Sequence, residues 1–487
     1  MMKLFSLILP VLIPLTAGVL CGLIPFSSER RRDWFLAFSV LLNSLLVLFL
    51  LWMPPSGTLV LLPLTQTITL SLHLDGLGMV FLGLIGFLWP LASFYAFEYM
   101  EHEENLPRFF AFYTMSYGIT AGVALSANLI TMYFFYELLT LVTVPLVAHE
   151  EDHRSMSAAR KYILYSIGGA ALSFVGIMML TGRTGAKDYV FGGFAPAGEV
   201  DSYLLIAYLL TFAGFGVKAA IFPLHGWLPA AGVAPTPVTA LLHAVAVVKS
   251  GVFASIRSTW YAFGPEVLSG TWAQHTALVL SAFTILYGSA MALREQHWKR
   301  RLAYSTVSNL SYILFGSCLL TAAGLTAALS HMLYHGIMKI TLFFCAGTVL
   351  CKTGREYVPQ TEGLGRKMPL TFATYLIAGL ALTGTPLLPG YISKTNLLTA
   401  AAQLNDPYAL FGIVSLLLSA LLAAAYLLPM SVRAYIVPEG SSLSFTEKDR
   451  DPGLRMLIPF GVLVLAMIYF GVHAGSLMNA LGSLISG

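Results

Sequence analysis

The feature that most constrains the fold of this chain is a repeated series of apolar stretches, each of about 20 residues, along its whole length. A helix of that length crosses roughly 30 Å of hydrocarbon, and a soluble core does not need so many of them. The composition agrees, because 57% of the 487 residues are hydrophobic and only 10% are charged. The sequence therefore predicts an integral membrane protein.

Fourteen such stretches can be delimited, and we predict one membrane-spanning helix in each. No soluble module separates them, so residues 1–487 are predicted to form a single membrane domain. The spans are predicted near residues 4–25, 33–53, 77–98, 109–126, 128–148, 158–181, 202–223, 235–258, 272–293, 302–321, 324–350, 369–392, 406–435 and 455–484.

The Lys and Arg residues between the spans indicate orientation, because cytoplasmic loops carry an excess of them. When the loops are assigned alternately to two sides, nineteen basic residues fall on one side and four, Lys3, Arg183, Lys187 and Arg257, on the other. We expect the basic side to be cytoplasmic, in a protein of the cell inner (cytoplasmic) membrane with both termini outside. The net charge of +4 reflects this bias and does not indicate nucleic acid binding.

Five charged groups lie inside predicted spans, namely Glu137, Lys218, Lys249, Lys339 and Lys394. Unpaired, they would together cost on the order of 15 kcal/mol. We therefore expect them to face the bundle interior, where they pair, meet water or lose their charge. A lysine that can release its proton can also carry one. The alternative is a structural ion pair between Glu137 and one lysine, which leaves the other three lysines unexplained.

The stretch HMLYHGIMK places three ionisable residues, His331, His335 and Lys339, four positions apart in an apolar run. This spacing puts them on one face of a helix. They can therefore form a row of titratable, hydrogen-bonding groups. His243 is a further candidate, although a single histidine on an apolar face is also typical of a core residue.

Prolines interrupt the helical pattern in KAAIFPLHGWLPAAGVAPTP (218–237) and in GTPLLPGYISK (384–394). Proline blocks the regular hydrogen-bond ladder, so both helices should be discontinuous. Broken helices at membrane depth usually mark the ion site of a transporter. Kinking of the helices for packing is the alternative.

The spacing of the two breaks fits a duplication of five helices, with repeat one at 108–260 and repeat two at 270–435. Helices 1–3 would precede the repeats at 1–98, and helix 14 would follow at 455–484. After five crossings the chain is on the opposite side of the membrane, so the second copy must begin there. Tandem copies of a five-helix unit therefore insert with inverted topology.

Four stretches of the sequence have to be considered together, namely FPLHGWLPAAGVAPTPVTALLHAVAVVKSGVF, KRRLAYSTVSNLSYI, HMLYHGIMKITLFFCAG and GTPLLPGYISK. They resemble one family, the antiporter-like proton-translocating subunits shared by respiratory complex I, energy-converting membrane hydrogenases and multisubunit Na+/H+ antiporters. The resemblance implies an all-α integral membrane protein of about 14 transmembrane helices. It also implies two inverted five-helix repeats, discontinuous seventh and twelfth helices and a hydrated polar axis at mid-membrane.

The resemblance further implies a proton relay made of residues from several helices. Its members would be Glu137 of the fifth helix, Lys218 of the seventh, His243 and Lys249 of the eighth, His331, His335 and Lys339 of the eleventh, and Lys394 of the twelfth, with Lys299 as a further candidate at the start of the tenth. The chain departs from the pattern at Ala230 and His297, where relatives often have Asp.

The function implied is proton translocation within a multisubunit energy-converting redox complex, coupled to electron transfer elsewhere in that complex. The partners implied are other membrane subunits, including antiporter-like paralogues, and a redox arm. The alternative is membership of a multisubunit Na+/H+ antiporter without a redox module. The chain has no nucleotide-binding loop, covalent nucleophile or CxxC pair, so we expect it to be non-catalytic and to have no cofactor of its own.

Two other interpretations compete with the relay. The stretch HEEDH (149–153) matches the HExxH pattern of zinc proteases, but it lies in a short loop and no third ligand is evident. His243 with His331 or His335 could hold a haem, against which the adjacent lysines argue. No metal site is therefore predicted.

Overall fold

The computed structural model describes residues 2–196, 198, 200–436 and 449–486. Within these residues the chain forms twenty α-helices and one two-stranded sheet. Lys448, one of the nineteen basic residues assigned to one side, lies outside the described residues.

The helices up to the first interruption are mostly long. They are α1 (Met2–Phe5), α2 (Leu9–Leu23), α3 (Glu29–Trp52), α4 (Gly76–Tyr99), α5 (Leu106–Ala124), α6 (Leu129–Val147), α7 (His153–Thr184) and α8 (Ser202–Lys218).

The middle of the chain contains several short helices. They are α9 (Trp227–Ala230), α10 (Thr236–Ala244), α11 (Val247–Arg257) with a π-helical turn at Ser258–Phe263, α12 (Pro265–Leu268), α13 (Trp272–Arg294) and α14 (Trp298–Cys318).

The last part of the chain is again dominated by long helices. They are α15 (Ala322–Thr353), α16 (Pro369–Thr383), α17 (Pro389–Ala402), α18 (Pro407–Arg433), α19 (Leu454–Val472) and α20 (Ala474–Ser486).

In the described part of the chain, nine helical segments are long and apolar enough to cross a membrane. They range from 19 to 32 residues, which suffices for the roughly 30 Å of hydrocarbon. The expectation of a mostly helical membrane protein is confirmed, while the count of fourteen spans stays a prediction.

Short polar side chains determine where several of these helices begin. Asp75 accepts a hydrogen bond from the Gly78 backbone N–H at the start of α4, and Asn128 does the same for Thr131 at the start of α6. Such caps satisfy backbone donors that the first turn of a helix leaves without partners. The polar residues between apolar runs are therefore part of the folding signal.

A β-hairpin corrects the expectation of an all-α chain. Strand β1 (Leu59–Pro63) pairs antiparallel with β2 (Thr69–Leu72). The side-chain amide of Asn128 donates to the Thr69 carbonyl oxygen at 3.2 Å and so joins the hairpin to the start of α6. The segment is too short and too rich in Thr for a membrane-spanning helix, and pairing of two strands satisfies its backbone instead.

Both predicted helix interruptions are present. Helix α8 ends at Lys218, and regular helix resumes only with α9 and then α10. Helix α16 ends at Thr383, and α17 begins at Pro389. A third interruption, at Val245 and Ala246 between α10 and α11, was not predicted.

Several polar contacts bring together connections that are distant in sequence at one end of the bundle. Glu98 at the end of α4 accepts from the Gly453 backbone N–H at 2.7 Å and forms an ion pair with Lys352 at 3.2 Å. The Trp298 backbone N–H donates to the Glu356 carbonyl oxygen at 2.9 Å. The connections after α4, α13 and α15 and before α19 therefore lie on one side, whereas the buried lysines lie within the bundle.

Candidate functional site

The first predicted pair, Glu137 and Lys218, is brought together by α6 and the last residue of α8. The Lys218 Nζ lies 3.7 Å from Glu137 Oε1 and 3.4 Å from the centre of the Tyr136 ring. It also donates a hydrogen bond to the Tyr136 carbonyl oxygen. A cation is stabilised at the C-terminus of a helix, where carbonyl groups lack partners, so the break after α8 suits this lysine.

A close approach of α11 encloses the same lysine. A Cβ atom added at Gly251 would lie 2.9 Å from Lys218 Cβ and 2.4 Å from the Ala219 backbone nitrogen. Only glycine therefore allows α11 to pack against the end of α8. The result is a Lys218 side chain that is 1% exposed, next to a Glu137 side chain that is 27% exposed.

The shortest contact between predicted site residues joins Lys249 of α11 to His335 of α15. Lys249 Nζ lies 2.8 Å from His335 Nδ1, and both residues are fully buried. A proton can be held by either nitrogen of such a pair. Lys249 is the third residue of α11 and so lies directly after the unpredicted break.

The three ionisable residues of HMLYHGIMK lie on α15 and are all fully buried. The rings of His331 and His335 are 6.0 Å apart between centroids. His331 Nδ1 lies 2.9 Å from Ser393 Oγ of α17, and Lys339 Nζ donates to the Leu302 carbonyl oxygen of α14 at 3.0 Å. Helix α15 thus connects the Lys249 site to the second interrupted helix.

Lys394 of α17 reaches back across the second interruption. Its Nζ donates to the carbonyl oxygens of Leu382 at 2.7 Å and Thr383 at 3.2 Å, which end α16. Gly384, with φ at +99°, turns the chain away and leaves these carbonyls open to the lysine. Lys394 is therefore bound by carbonyl groups that a regular helix would have used, whereas Lys218, itself the last residue of α8, donates to a carbonyl group of α6.

We refer to Glu137, Lys218, Lys249, His335, His331, Lys339 and Lys394 as the buried row. Its members come from α6, α8, α11, α15 and α17. Among the described residues, Lys249 and His335 are the only members of the row that are joined to each other by a hydrogen bond. No hydrogen bond links Lys218 to Lys249. Coupling between those two must be electrostatic or pass through groups that the protein atoms do not supply.

Two candidates lie beside this row. His243 of α10 is fully buried with its ring 4.7 Å from that of Phe343, and neither ring nitrogen has a hydrogen-bond partner among the described residues. Lys299, at the start of α14, donates to the Ala234 carbonyl oxygen at 2.9 Å, just before α10. Among the described residues, neither forms a hydrogen bond, an ion pair or a ring contact with a member of the row.

The HEEDH stretch does not form the helix that a zinc protease requires. Helix α6 ends at Val147 and α7 begins at His153, so His149 lies in the turn between them. Burial and the charge of Arg108 lower the pKa of His149 below its ordinary value. The described residues contain no group of three or more His, Cys, Asp or Glu placed to hold a metal ion.

One buried ion pair is not evident from the sequence, which places Arg257 in an external loop. Arg257 ends α11 with 1% of its side chain exposed, and its Nη2 donates to Asp75 Oδ1 at 2.7 Å. Although burial acts to raise it, the guanidinium holds the pKa of Asp75 below its ordinary value. The available signal was Asp75 itself, a capping residue directly before an apolar run.

Two family models match the chain. The model described as NADH:quinone oxidoreductase/Mrp antiporter, TM, matches residues 126–422 and so includes the whole buried row. The model described as NADH-Ubiquinone oxidoreductase (complex I), chain 5 N-terminus, matches residues 63–110.

Known proteins resemble the chain in sequence and in fold. The A/B component of a probable K(+)/H(+) antiporter of Rhizobium meliloti is 31% identical over 86% of this chain and 41% of its own length. The A1 component of a Na(+)/H(+) antiporter of Staphylococcus aureus is 27% identical over 98% of this chain and 62% of its own length. The chain thus spans less than two thirds of either relative.

A solved structure shows the same fold at low sequence identity. It is that of the membrane-bound sulfane sulfur reductase, an archaeal respiratory membrane complex, in which one chain superposes with a TM-score of 0.84 at 23% identity. The superposition covers 99% of this chain and 97% of that one. Together with the family match over residues 126–422, these findings identify the chain as a multi-pass membrane protein of the NADH:quinone oxidoreductase/Mrp antiporter transmembrane family.

Proposed function

We propose that this chain is the proton-translocating subunit of a multisubunit membrane complex and that the buried row carries the protons. The observation that supports this most is the arrangement of four buried lysines on four helices, each with its own polar partner. A purely structural role would need only to neutralise these charges. Just one lysine of the row, Lys218, has a carboxylate within ion-pair distance among the described residues.

The proposed relay begins at the Glu137–Lys218 pair and ends at Lys394. At 3.7 Å the pair is an ion pair without a direct hydrogen bond, so a moderate change in the nearby field can alter it. A proton arriving at Lys249 or His335 repels charge on the neighbouring sites, and the sites therefore titrate together. In this proposal, Lys394 releases the proton beyond the second break.

The proposed architecture has two inverted five-helix repeats within fourteen spans. In repeat one, at 108–260, the units are α5, α6, α7, α8 with α9, and α10 with α11. In repeat two, at 270–435, they are α13, α14, α15, α16 with α17, and α18. The proline-marked interruption falls in the fourth unit of each, which supports the duplication.

The driving reaction distinguishes two forms of the proposal. In one, electron transfer in a redox arm of the complex drives the protons, as the likeness to a respiratory complex suggests. In the other, the chain belongs to a cation/proton antiporter, which the names of the two curated relatives favour. Both forms use the same row, with other membrane subunits as partners.

The test uses everted membrane vesicles that contain the assembled complex and a pH-sensitive dye. We expect Lys218→Ala to slow proton movement by about 10²-fold, a typical loss when a proton-transfer group is removed. Lys218→Arg is the sharper variant, because guanidinium keeps the charge near Glu137 but does not release its proton. Addition of Na+ or K+ tests the antiporter form, and addition of a reduced electron donor tests the redox form.

Lys161→Ala is the matched control, since Lys161 is an exposed lysine of α7 outside the row. It should leave proton movement unchanged. If Lys218→Arg assembles normally and transports protons at the parental rate, Lys218 is not a relay residue and the proposal is wrong.

A further inference from the structure

A groove lined by α3, α4 and the start of α19 opens at the end of the bundle that carries Glu98 and Lys352. Its volume is about 300 Å³, and its lining includes Arg30, Trp34, Phe38 and Arg455. It is separate from the buried row. We call it the α3/α4 groove.

The rim of the groove is basic. Arg30 is exposed and has no carboxylate within ion-pair distance among the described residues, whereas Arg455 contacts Asp33 at 3.6 Å and Glu101 at 3.2 Å. Asp33 is already held by Arg32 at 2.9 Å. The acidic groups at the rim are therefore neutralised within the protein, and Arg30 remains as a cation without an anion.

The wall below the rim is apolar and follows the axis of α3. Phe38 and Leu41 of α3 and Phe94 of α4 line it. From Arg30 to Leu41 the helix rises by about 16 Å, so the groove leads from the charged end of the bundle into the hydrocarbon layer. Trp34 and Phe38 are 69% and 67% exposed beside it, as aromatic residues at a membrane interface often are.

We propose that the α3/α4 groove binds an anionic phospholipid, with its phosphate between Arg30 and Arg455 and one acyl chain against Phe38, Leu41 and Phe94. A basic pocket between membrane helices is suited to an acidic headgroup. The headgroup supplies the anion that Arg30 lacks and stays at the interface, where water still solvates it. An apolar helix from a partner protein would instead bury the Arg30 guanidinium without a counter-charge, at a high desolvation cost.

Photo-crosslinking in lipid vesicles tests this proposal. The whole chain is reconstituted with phosphatidylglycerol or phosphatidylcholine that carries a diazirine on one acyl chain, and the adducts are mapped by mass spectrometry. We expect adducts at Phe38, Leu41 and Phe94, about fivefold more abundant with phosphatidylglycerol, since each arginine near the surface favours an anionic lipid. Arg30→Gln should remove most of that preference.

Arg31→Gln is the matched control because Arg31 is the adjacent exposed arginine, does not line the groove and donates to Ser27 Oγ at 2.8 Å. It should keep the preference for phosphatidylglycerol. Equal labelling by the two lipids would overturn the proposal, as would labelling that avoids the groove. If labelling of the assembled complex avoids the groove, a partner protein covers the groove and the lipid proposal is wrong.

Discussion

The lysines of the buried row differ in what stabilises their ammonium groups. Lys339 and Lys394 donate to backbone carbonyl oxygens, and Lys249 shares a hydrogen bond with His335. Of the four, only Lys218 lies near a carboxylate in the part of the chain that the structure describes. Carbonyl oxygens and a neutral imidazole bind the ammonium group without cancelling its charge. Three of the four lysines can therefore exchange a proton without breaking an ion pair.

The Asp75–Arg257 pair has the opposite character, because arginine stays charged and the pair is fixed. Its effect should be on stability. Asp75→Asn keeps the cap on α4 but leaves a buried guanidinium without an anion, so we expect the free energy of unfolding to fall by about 3–5 kcal/mol. The measurement is thermal unfolding of the detergent-solubilised protein at neutral pH, where Asp75 is ionised.

Asp201→Asn provides the matched control for that prediction. Asp201 also caps a helix, α8, and pairs with Arg183, but 50% of its side chain is exposed. Loss of a surface pair should cost about 1 kcal/mol or less. A double variant, Asp75→Asn with Arg257→Met, should recover much of the stability. Equal losses for the two single Asp variants would contradict the assignment of a buried pair.

At the scale of helices, the sequence predicts the two interruptions that contain proline. It does not predict the third interruption, which contains none. The breaks after α8 and α16 contain Pro223 and Pro386. The break at Val245 and Ala246 has neither proline nor glycine. There the Ala246 backbone N–H donates to the Leu241 carbonyl oxygen, five residues back, at 2.9 Å, and no residue type in the sequence marks this irregularity. For the same reason, His243 and Lys249 could be placed on the same span but not on separate helices.

The site itself was predictable to the extent that charge in an apolar span is unusual. A charged group in contact with lipid costs free energy, and this cost alone predicts that four lysines face the interior of the bundle, namely Lys218, Lys249, Lys339 and Lys394. Their partners cannot be predicted in this way, because the carbonyl groups of Tyr136, Leu302 and Leu382 have no signal in the sequence. The sequence places Arg257 in a loop because it lies at the end of an apolar run. The structure shows that only 1% of its side chain is exposed.

Gly384 provides a test of the second interruption. Its φ of +99° is unfavourable for residues with a Cβ atom, and an added Cβ would lie 3.3 Å from Lys394 Cδ. We expect Gly384→Ala to reduce the free energy of unfolding by about 1–2 kcal/mol. It should also slow proton transport, because the carbonyls that bind Lys394 would be displaced. Thermal unfolding and the vesicle assay measure the two effects.

The control for that variant lies in the same helix. Gly379 of α16 has an ordinary helical backbone, and an added Cβ would meet only Leu427 Cβ, at 3.8 Å. Gly379→Ala should therefore be neutral or stabilising by about 0.5–1 kcal/mol. If both variants behave alike, the positive φ at Gly384 is not what maintains the break.

At the scale of the whole molecule, the polar contacts define two ends of the bundle, and the distribution of charge predicts which end is cytoplasmic. The hairpin of β1 and β2 lies at the end where α6 begins, through its contact with Asn128. The connection between α15 and α16 lies at the other end, because α4 begins directly after the hairpin and Glu98, near the far end of α4, pairs with Lys352 at the end of α15. The basic residues cluster at the second end, which we therefore predict to be cytoplasmic.

Cysteine labelling from outside the cell distinguishes the two orientations. Gln66, between the strands, and Lys367, just before α16, are both exposed, so Gln66→Cys and Lys367→Cys should both react once the membrane is permeabilised. With an impermeant maleimide on intact right-side-out vesicles, only Gln66→Cys should react. The parental chain measures the background, because three of its four cysteines are buried and Cys351 is half-buried. Labelling of Lys367→Cys alone would reverse the orientation. It would also reverse the direction of the proposed proton movement along the row, since α16 and Lys394 would then open toward the opposite compartment.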